Sequence, residues 1–228
     1  MAAKKATRGA VVYARIREDI FQGTLLPAQR LRLVELAERF SVSQSVVREA
    51  LTRLSEQGLV VATPQQGFSV VTVSLQDVDE LTEARVEVET MVLRRSLERG
   101  DLKWEADVVA AHHHLAGMRT ELPDGTMNSE WFPVHEHFHQ TILQACGNAR
   151  LLGVALSLRD AFTLYRRWSH PVGHDTGRDI TGEHAAIAEA VLRRDADLAA
   201  DLLGRHIERT SQALRTVFAE EFGAPSTV

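Results

Sequence analysis

The 228-residue chain has a single cysteine, Cys146, no long apolar run, and no histidine before position 112. One cysteine excludes an internal disulfide framework and a cysteine-rich zinc site. The longest stretch without a charged residue, 57–76, is interrupted by proline and glycine, so it does not predict a membrane span. The first ten residues lack the apolar segment of a secretory signal, and we therefore expect a cytoplasmic protein with no membrane partner.

Charge and histidine are unevenly distributed along the chain. Residues 1–73 contain 10 Lys and Arg against 6 Asp and Glu (net +4), whereas residues 74–228 contain 16 against 25 (net −9). All ten histidines belong to the second part. A basic segment without histidine and an acidic, histidine-rich remainder predict two domains with different partners, at 8–74 and 75–222.

The basic segment shows the pattern of a winged helix-turn-helix. Apolar residues recur at helical spacing over about 10–22, 33–40 and 45–57. After Gly58, β-branched runs at 59–63 and 68–73 flank the sequence PQQG, which is typical of a β-hairpin. In such a domain the third helix enters the major groove and the hairpin lies near the DNA backbone or the minor groove.

Several polar residues fall where this domain would meet DNA. The predicted contacts are Arg32, Ser43, Gln44, Ser45, Arg48, Arg53 and Gly67. The serines offer hydroxyls to phosphates, and the Gln44 amide can pair bidentately with adenine. Two alternatives stay open: Ser41-x-x-Gln44 is also the pattern of a helix-capping box, and the arginines also suit a solvated helix face. Because +4 is a modest charge for binding DNA, we expect a homodimer on a two-part, double-stranded operator.

The residues that form this pattern resemble a known family. RLRLVELAERFSVSQSVVREALTRLSEQGLV (30–60), followed by PQQGFSV (64–70), resembles the winged helix of the GntR family of bacterial transcription regulators. Besides Ser45 for a threonine, the chain departs from the usual pattern at Ala28 and Ser41 (for glycine), Gln44 (for arginine) and Val46 (for proline). An arginine at 44 would typically read guanine, so we expect an operator that differs at that base.

The remainder of the chain predicts an all-α bundle of six or seven helices. No alternating strand pattern appears, and helices are expected at about 75–99, 102–119, 132–146, 149–169, 178–193 and 196–220. The fold class is therefore mainly α: a winged helix-turn-helix of three helices and a hairpin, followed by this bundle.

Four of the ten histidines are candidate metal ligands. His135 and His139, four residues apart on one predicted helix, share a face and can clamp one ion. His184 and His206 lie in later helices among small or apolar neighbours, which suggests that both face inward. Four imidazoles would suit a divalent ion, zinc first, with Ni, Co or Cu as alternatives. The competing interpretation is that they are ordinary core histidines, and the run 112–114 is expected to be a solvated patch. We expect His137 to face solvent or a neighbouring helix, and His170 and His174 to flank a loop.

A second resemblance supports the metal interpretation. FHQTILQACGN (138–148) resembles the core of the FCD domain, the ligand-binding domain that follows the winged helix in the FadR-like branch of GntR regulators. In metal-binding members the ligands map onto positions 135, 139, 184 and 206, but the family usually has an aspartate where this chain has His135. With four neutral ligands the ion would keep its full +2 charge, which should strengthen its pull on an anionic effector and favour softer metals.

The same resemblance places an effector-binding arginine at Arg85. Its guanidinium could hold a carboxylate bidentately beside the metal. The alternative is a surface ion pair with Glu89, four residues further along the helix.

These observations predict a transcription regulator, most consistent with a repressor, and not an enzyme. Its helical domain would bind a metal and a small carboxylate metabolite that modulates operator binding. One alternative is a regulator that senses the metal directly. The other is a helical metallohydrolase with a DNA-binding head, which is disfavoured because the nearby base Glu136 points about 100° away from the His135/His139 face.

Overall fold

The computed structural model describes residues 7–72, 74–124, 128–168 and 178–222. Within these ranges the chain forms nine helices and three short strands. The chain clusters into two compact units. The first, called the head, comprises the residues up to Ser74 together with Asp160 and the helical residues that follow it. The second, called the body, begins at Leu75 and contains the remaining helices.

The N-terminal part of the head consists of three helices and a small sheet. Its elements are α1 (Arg8–Phe21), β1 (Arg30–Leu31), α2 (Leu33–Phe40), α3 (Gln44–Glu56), β2 (Val60–Thr63) and β3 (Gly67–Val70). Each helix turns one apolar face inward, and Ile16, Leu51 and Leu54 are completely buried where these faces meet. The predicted winged helix-turn-helix is confirmed.

The sheet of the head has one strand more than predicted. β2 and β3 form the expected antiparallel hairpin, and β1 pairs with β3 on its other edge, so the strand order is β1-β3-β2. Arg30 of β1 also donates a hydrogen bond to the carbonyl of Gln66 in the hairpin turn, at 2.8 Å. A strand of two residues is too short to show an alternating pattern, so only its pairing reveals it.

Two of the departures from the GntR pattern lie in left-handed backbone. Ala28 has φ 60° and Ser41 has φ 53°, and both positions carry glycine in the usual pattern. The left-handed conformation costs a residue with a Cβ roughly 1–2 kcal/mol, whereas glycine adopts it freely. Ala28 and Ser41 therefore store local strain.

We expect Ala28→Gly and Ser41→Gly each to raise the free energy of unfolding by about 0.5–1 kcal/mol, because relief of the strain exceeds the added chain entropy of glycine. Chemical denaturation of the full chain measures this change. The matched control is Gly58→Ala, at φ +73° with open space around the new Cβ, which should lower stability by a similar amount. A loss of stability in both glycine variants would contradict the assignment.

The body is helical throughout its described residues. Its elements are α4 (Leu75–Arg99), α5 (Leu102–Ala116), α6 (Trp131–Leu143), the part of α7 (Ala149–Trp168) up to Arg159, α8 (Ile180–Leu192) and α9 (Ala196–Phe222). Helices α4 and α9 pack along each other, and α5 packs against α6 and α8. Asp101 and Asp179 cap α5 and α8 by accepting backbone N–H bonds of 2.8 Å. The predicted all-α body is confirmed, and none of the described helices is long and apolar enough to cross a membrane.

Candidate metal centre and nucleic-acid interface

Four buried histidines from three helices of the body converge on one point. His135 and His139 come from α6, His184 from α8 and His206 from α9, and the most exposed of them retains only 7% of its accessible surface. Each contributes a ring nitrogen that lies within 4.8 Å of the other three. The structure thus brings together all four residues that the sequence singled out.

Hydrogen bonds alone do not account well for the short distances between the ring nitrogens. His139 Nε2 lies 3.1 Å from His135 Nε2 and 3.2 Å from His184 Nε2. In a neutral ring His139 Nε2 carries either one proton or one lone pair, so it cannot make two full hydrogen bonds at once. A tetrahedral zinc ion with Zn–N bonds of about 2.0–2.1 Å would separate its ligand nitrogens by roughly 3.3 Å, close to these distances. The cluster could therefore hold a metal ion.

Burial favours the neutral, metal-binding form of His139 and His206. Desolvation is the main reason that the pKa of His139 falls well below its ordinary value, and the nearby positive charge of Arg159 adds to the shift. Desolvation also lowers the pKa of His206 to about 4, although a hydrogen bond to Glu183 acts in the opposite direction. Neutral rings with free lone pairs are the state required of metal ligands.

Aromatic side chains enclose part of the cluster. The Trp131 ring stacks on His135, with centroids 4.4 Å apart and 28° between the planes. Phe138 approaches His184 edge-on at 5.5 Å and is fully buried. These contacts restrict the orientation of two histidines and exclude water from that side.

A buried ion network connects α4, α6 and α7. Arg85 donates to Glu89 at 2.7 Å, and Arg159 of α7 donates to the other oxygen of Glu89 at 2.6 Å. Arg159 also binds both carboxylate oxygens of Glu136, at 2.8 and 3.1 Å. The ion pair expected as the alternative role of Arg85 is therefore formed, but it is buried and not on the surface. Sequence reasoning missed Arg159.

A second ionic group surrounds His206. Arg178 donates to both oxygens of Glu183, at 2.9 and 2.6 Å, and Glu183 Oε2 lies 2.8 Å from His206 Nδ1. Burial alone would raise the pKa of Glu183, but the hydrogen bonds from His206 and Arg178 outweigh it and lower the pKa to about 2. Glu183 is therefore a carboxylate under all ordinary conditions.

The other histidines lie apart from the cluster. His113, His114 and His137 are exposed, as expected. His112 corrects the expectation of a uniformly solvated run, because it is half-buried and its ring lies 5.8 Å from that of Phe138. The prediction that His170 and His174 flank a loop concerns residues outside the described ranges.

In the head, the start of α3 is open to solvent. Ser43 is its N-cap residue and Gln44 its first residue, and both are exposed. The Ser43 hydroxyl makes no capping bond and lies 2.8 Å from that of Ser45. Ser41 instead ends α2, as its left-handed C-cap. The capping-box alternative for Ser41 and Gln44 is therefore wrong.

The basic residues proposed for DNA contact are also at the surface of the head. Arg48 and Arg53 are exposed on α3, and Arg53 lies over the Tyr13 ring at 4.3 Å. Arg32 pairs with Glu35 at 2.9 Å, and both side chains remain more than 60% exposed. Gly67 is exposed at the end of the hairpin turn, with φ 93°. This exposure agrees with a DNA-facing role and with a solvated surface, so both remain open.

Comparison with known families decides the identity. The model of the bacterial regulatory proteins of the gntR family matches residues 9–70, and the FCD domain model matches residues 80–209. This chain belongs to the GntR family and carries an FCD domain. The recognised resemblance is confirmed over both units of this GntR/FCD regulator.

Curated relatives agree along nearly the whole length. The chain is 33% identical over 205 residues to the uncharacterized HTH-type transcriptional regulator BphR of Paraburkholderia xenovorans LB400, covering 89% of this chain and 83% of BphR. It is 31% identical over 198 residues to the HTH-type transcriptional repressor GlaR of Escherichia coli K12, covering 86% and 90%. Its fold resembles that of E. coli McbR/YncC, with a TM-score of 0.76 at 20% identity, covering 93% and 99%.

The GntR/FCD regulator is thus a transcription regulator and not an enzyme, as predicted. The metallohydrolase alternative is overturned by these relatives. The geometry agrees, because the carboxylate considered as its general base, Glu136, is held by two hydrogen bonds from Arg159.

Proposed function

We propose that this GntR/FCD regulator is a homodimeric repressor whose body binds a divalent metal and a small carboxylate effector that releases the operator. The observation that carries the proposal is the buried convergence of His135, His139, His184 and His206. Zinc is the first choice, because a closed set of four imidazoles suits its tetrahedral preference, and Ni, Co and Cu also accept nitrogen ligands. When bound, the ion would supply positive charge for an anionic ligand.

The charges around the cluster favour an anionic effector. The two buried arginines of the network, Arg85 and Arg159, are matched by Glu89 and Glu136, while Arg178 is matched by Glu183. Glu183 also pairs with Arg209 at 3.4 Å, so each of these carboxylates is already matched by an arginine, and a divalent ion would add two uncompensated positive charges in a region of low dielectric. A carboxylate would neutralise part of that charge. Arg85 remains the proposed effector residue, and Arg159 joins it through their shared partner Glu89.

DNA recognition is assigned to the exposed start of α3 and the adjoining basic residues. Gln44 would read a base, and Arg32, Arg48 and Arg53 would bind phosphates together with the hydroxyls of Ser43 and Ser45 and the backbone near Gly67. The basic segment 1–73, with a net charge of +4, gains little from phosphate contacts as a single copy, so two copies on a two-part operator are required for tight binding. The effector then releases the operator if it binds preferentially to a body conformation that holds the two heads at the wrong spacing for the two half-sites.

Metal analysis of purified protein tests the metal site. We expect about one zinc or similar ion per chain after dialysis, and its loss in His135→Ala, because that substitution removes one of two ligands on a single helix. His137→Ala is the matched control, since His137 is exposed on the same helix. A His135→Ala protein that retains the full metal content would overturn the assignment of this histidine.

Operator binding separates carboxylate sensing from direct metal sensing. The metal-loaded and metal-stripped proteins would be titrated with an operator, each with and without a panel of small carboxylates. The proposal expects release only when metal and a carboxylate are both present. If stripping and restoring the metal switches DNA binding without any organic ligand, the metal itself is the effector and the carboxylate proposal fails.

A further inference from the structure

The start of α8 presents two adjacent side chains to the histidine cluster. His184 belongs to the cluster itself, and the neighbouring Glu183 turns to His206 of α9, whose Nδ1 lies 2.8 Å from Glu183 Oε2. One helical turn thus supplies both a candidate ligand and the hydrogen-bond partner of another candidate ligand, 23 residues away.

The contact with Glu183 determines which nitrogen of His206 is available. A carboxylate accepts hydrogen bonds but cannot donate them, so the 2.8 Å contact with Glu183 places the proton of the neutral ring on Nδ1. Arg178 Nη2, which can only donate, also lies 3.3 Å from this Nδ1, but the carboxylate contact is shorter and Nη2 already donates to Glu183 at 2.6 Å. The lone pair then lies on Nε2, the only other ring nitrogen that could face the cluster. His139 differs, because its Nδ1 is buried and has no hydrogen-bond partner among the described residues. His206 is therefore held in the ligating tautomer by a charged partner.

Glu183 is itself held in place from outside the cluster. The Arg178 guanidinium donates hydrogen bonds to both carboxylate oxygens of Glu183. It also donates to the Thr210 hydroxyl at 3.0 Å and to the His206 carbonyl at 3.3 Å. The guanidinium therefore connects the beginning of α8 to one turn of α9. Glu183 and His206 also line a cavity of about 520 Å³ on the α8–α9 side of the body. The Glu183 side chain retains 20% of its accessible surface there.

We propose that Glu183, clamped by Arg178, is the positioning residue of the metal centre: it orients His206 and fixes the tautomer that binds the ion. This inference rests on the proposed metal site. Carboxylate partners of this kind increase ligand basicity, and their removal typically weakens metal binding 10–100-fold. The metal would in turn stabilise the Glu183–Arg178 pair, so that metal binding and the junction of α8 with α9 become coupled.

The test measures zinc affinity of the full chain by competition with a chromophoric chelator. We expect Glu183→Ala to raise the Kd about 10–100-fold. Glu183→Gln should lie between that variant and the wild type, because its amide oxygen still accepts the Nδ1 proton but carries no charge. Glu105→Ala is the matched control: Glu105 binds Arg194 with two short bonds and has similar exposure, 26%, but contacts no histidine of the cluster in any described bond. Its Kd should stay within about threefold of wild type.

A second readout follows the tautomer without metal. ¹⁵N NMR of the histidine rings in the metal-free protein should show His206 protonated at Nδ1 in the wild type and in Glu183→Gln, and a mixture of tautomers in Glu183→Ala. Equal zinc affinity of wild type and Glu183→Ala, or an unchanged tautomer in Glu183→Ala, would overturn the inference. Because Glu183→Gln preserves shape, it keeps the test decisive if the alanine variant does not fold. A wild type that binds no zinc would overturn the proposed metal site and with it the role of Glu183 toward the ion, whereas loss of the Nδ1–H tautomer in Glu183→Ala would still show that Glu183 fixes the tautomer of His206.

Discussion

Replacing Arg159 by methionine is expected to lower the free energy of unfolding of the body by about 3–5 kcal/mol, because it breaks a buried ion pair by removing one partner. Arg159 is 3% exposed and binds Glu89, which is completely buried, as well as Glu136. Without the guanidinium, two carboxylates face one remaining arginine, Arg85. Urea denaturation followed by circular dichroism measures the loss.

Two variants control this result. Arg94→Met removes an arginine whose partner Asp197 is 93% exposed, and we expect a change below about 1 kcal/mol. The double variant Arg159→Met/Glu136→Gln leaves the Arg85–Glu89 pair balanced, so it should be more stable than Arg159→Met alone. A loss of less than 1 kcal/mol in Arg159→Met would show that the network is not a buried electrostatic unit.

The network illustrates what helical periodicity can and cannot predict. The histidine cluster was predictable, because His135 and His139 share a face and the later histidines lie on apolar faces. A comparable signal existed for Arg159: it follows buried Ala155 by four residues and precedes buried Phe162 by three. An arginine on an inward face indicates a buried partner. That partner, Glu89, lies 70 residues away in the sequence. It could not be identified from the sequence, because the pairing depends on how the helices pack.

The other features that the sequence did not predict depend either on long-range contacts or on local backbone conformation. β1 exists only because β3 pairs with it, and Glu183 acquires its role only because α9 brings His206 against α8. The left-handed backbone at Ala28 and Ser41 could not be predicted from these residues, because neither alanine nor serine favours that conformation. The family pattern, which has glycine at both positions, carried that information.

The variants Gln44→Ala and Arg48→Ala are both expected to weaken operator binding, but in two distinguishable ways. Loss of a bidentate base contact at Gln44 should cost about 1–3 kcal/mol per half-site, hence roughly 2–6 kcal/mol for a dimer, and should remove the preference for one base pair. Loss of a phosphate contact at Arg48 should weaken binding to all sequences about equally and reduce the salt dependence by about one ion per half-site. Both residues are exposed on α3.

Fluorescence anisotropy with duplexes selected from a random library, and with scrambled duplexes, separates these effects across several salt concentrations. Arg205→Ala is the control for net charge, because Arg205 is 71% exposed on the body and its loss changes the charge of the chain by the same amount as Arg48→Ala. If Gln44→Ala binds selected and scrambled duplexes in the wild-type ratio, Gln44 reads no base. The converse substitution is the stronger argument: Gln44→Arg restores the usual family residue and should shift the preferred base from adenine to guanine, an outcome that a solvated side chain cannot produce.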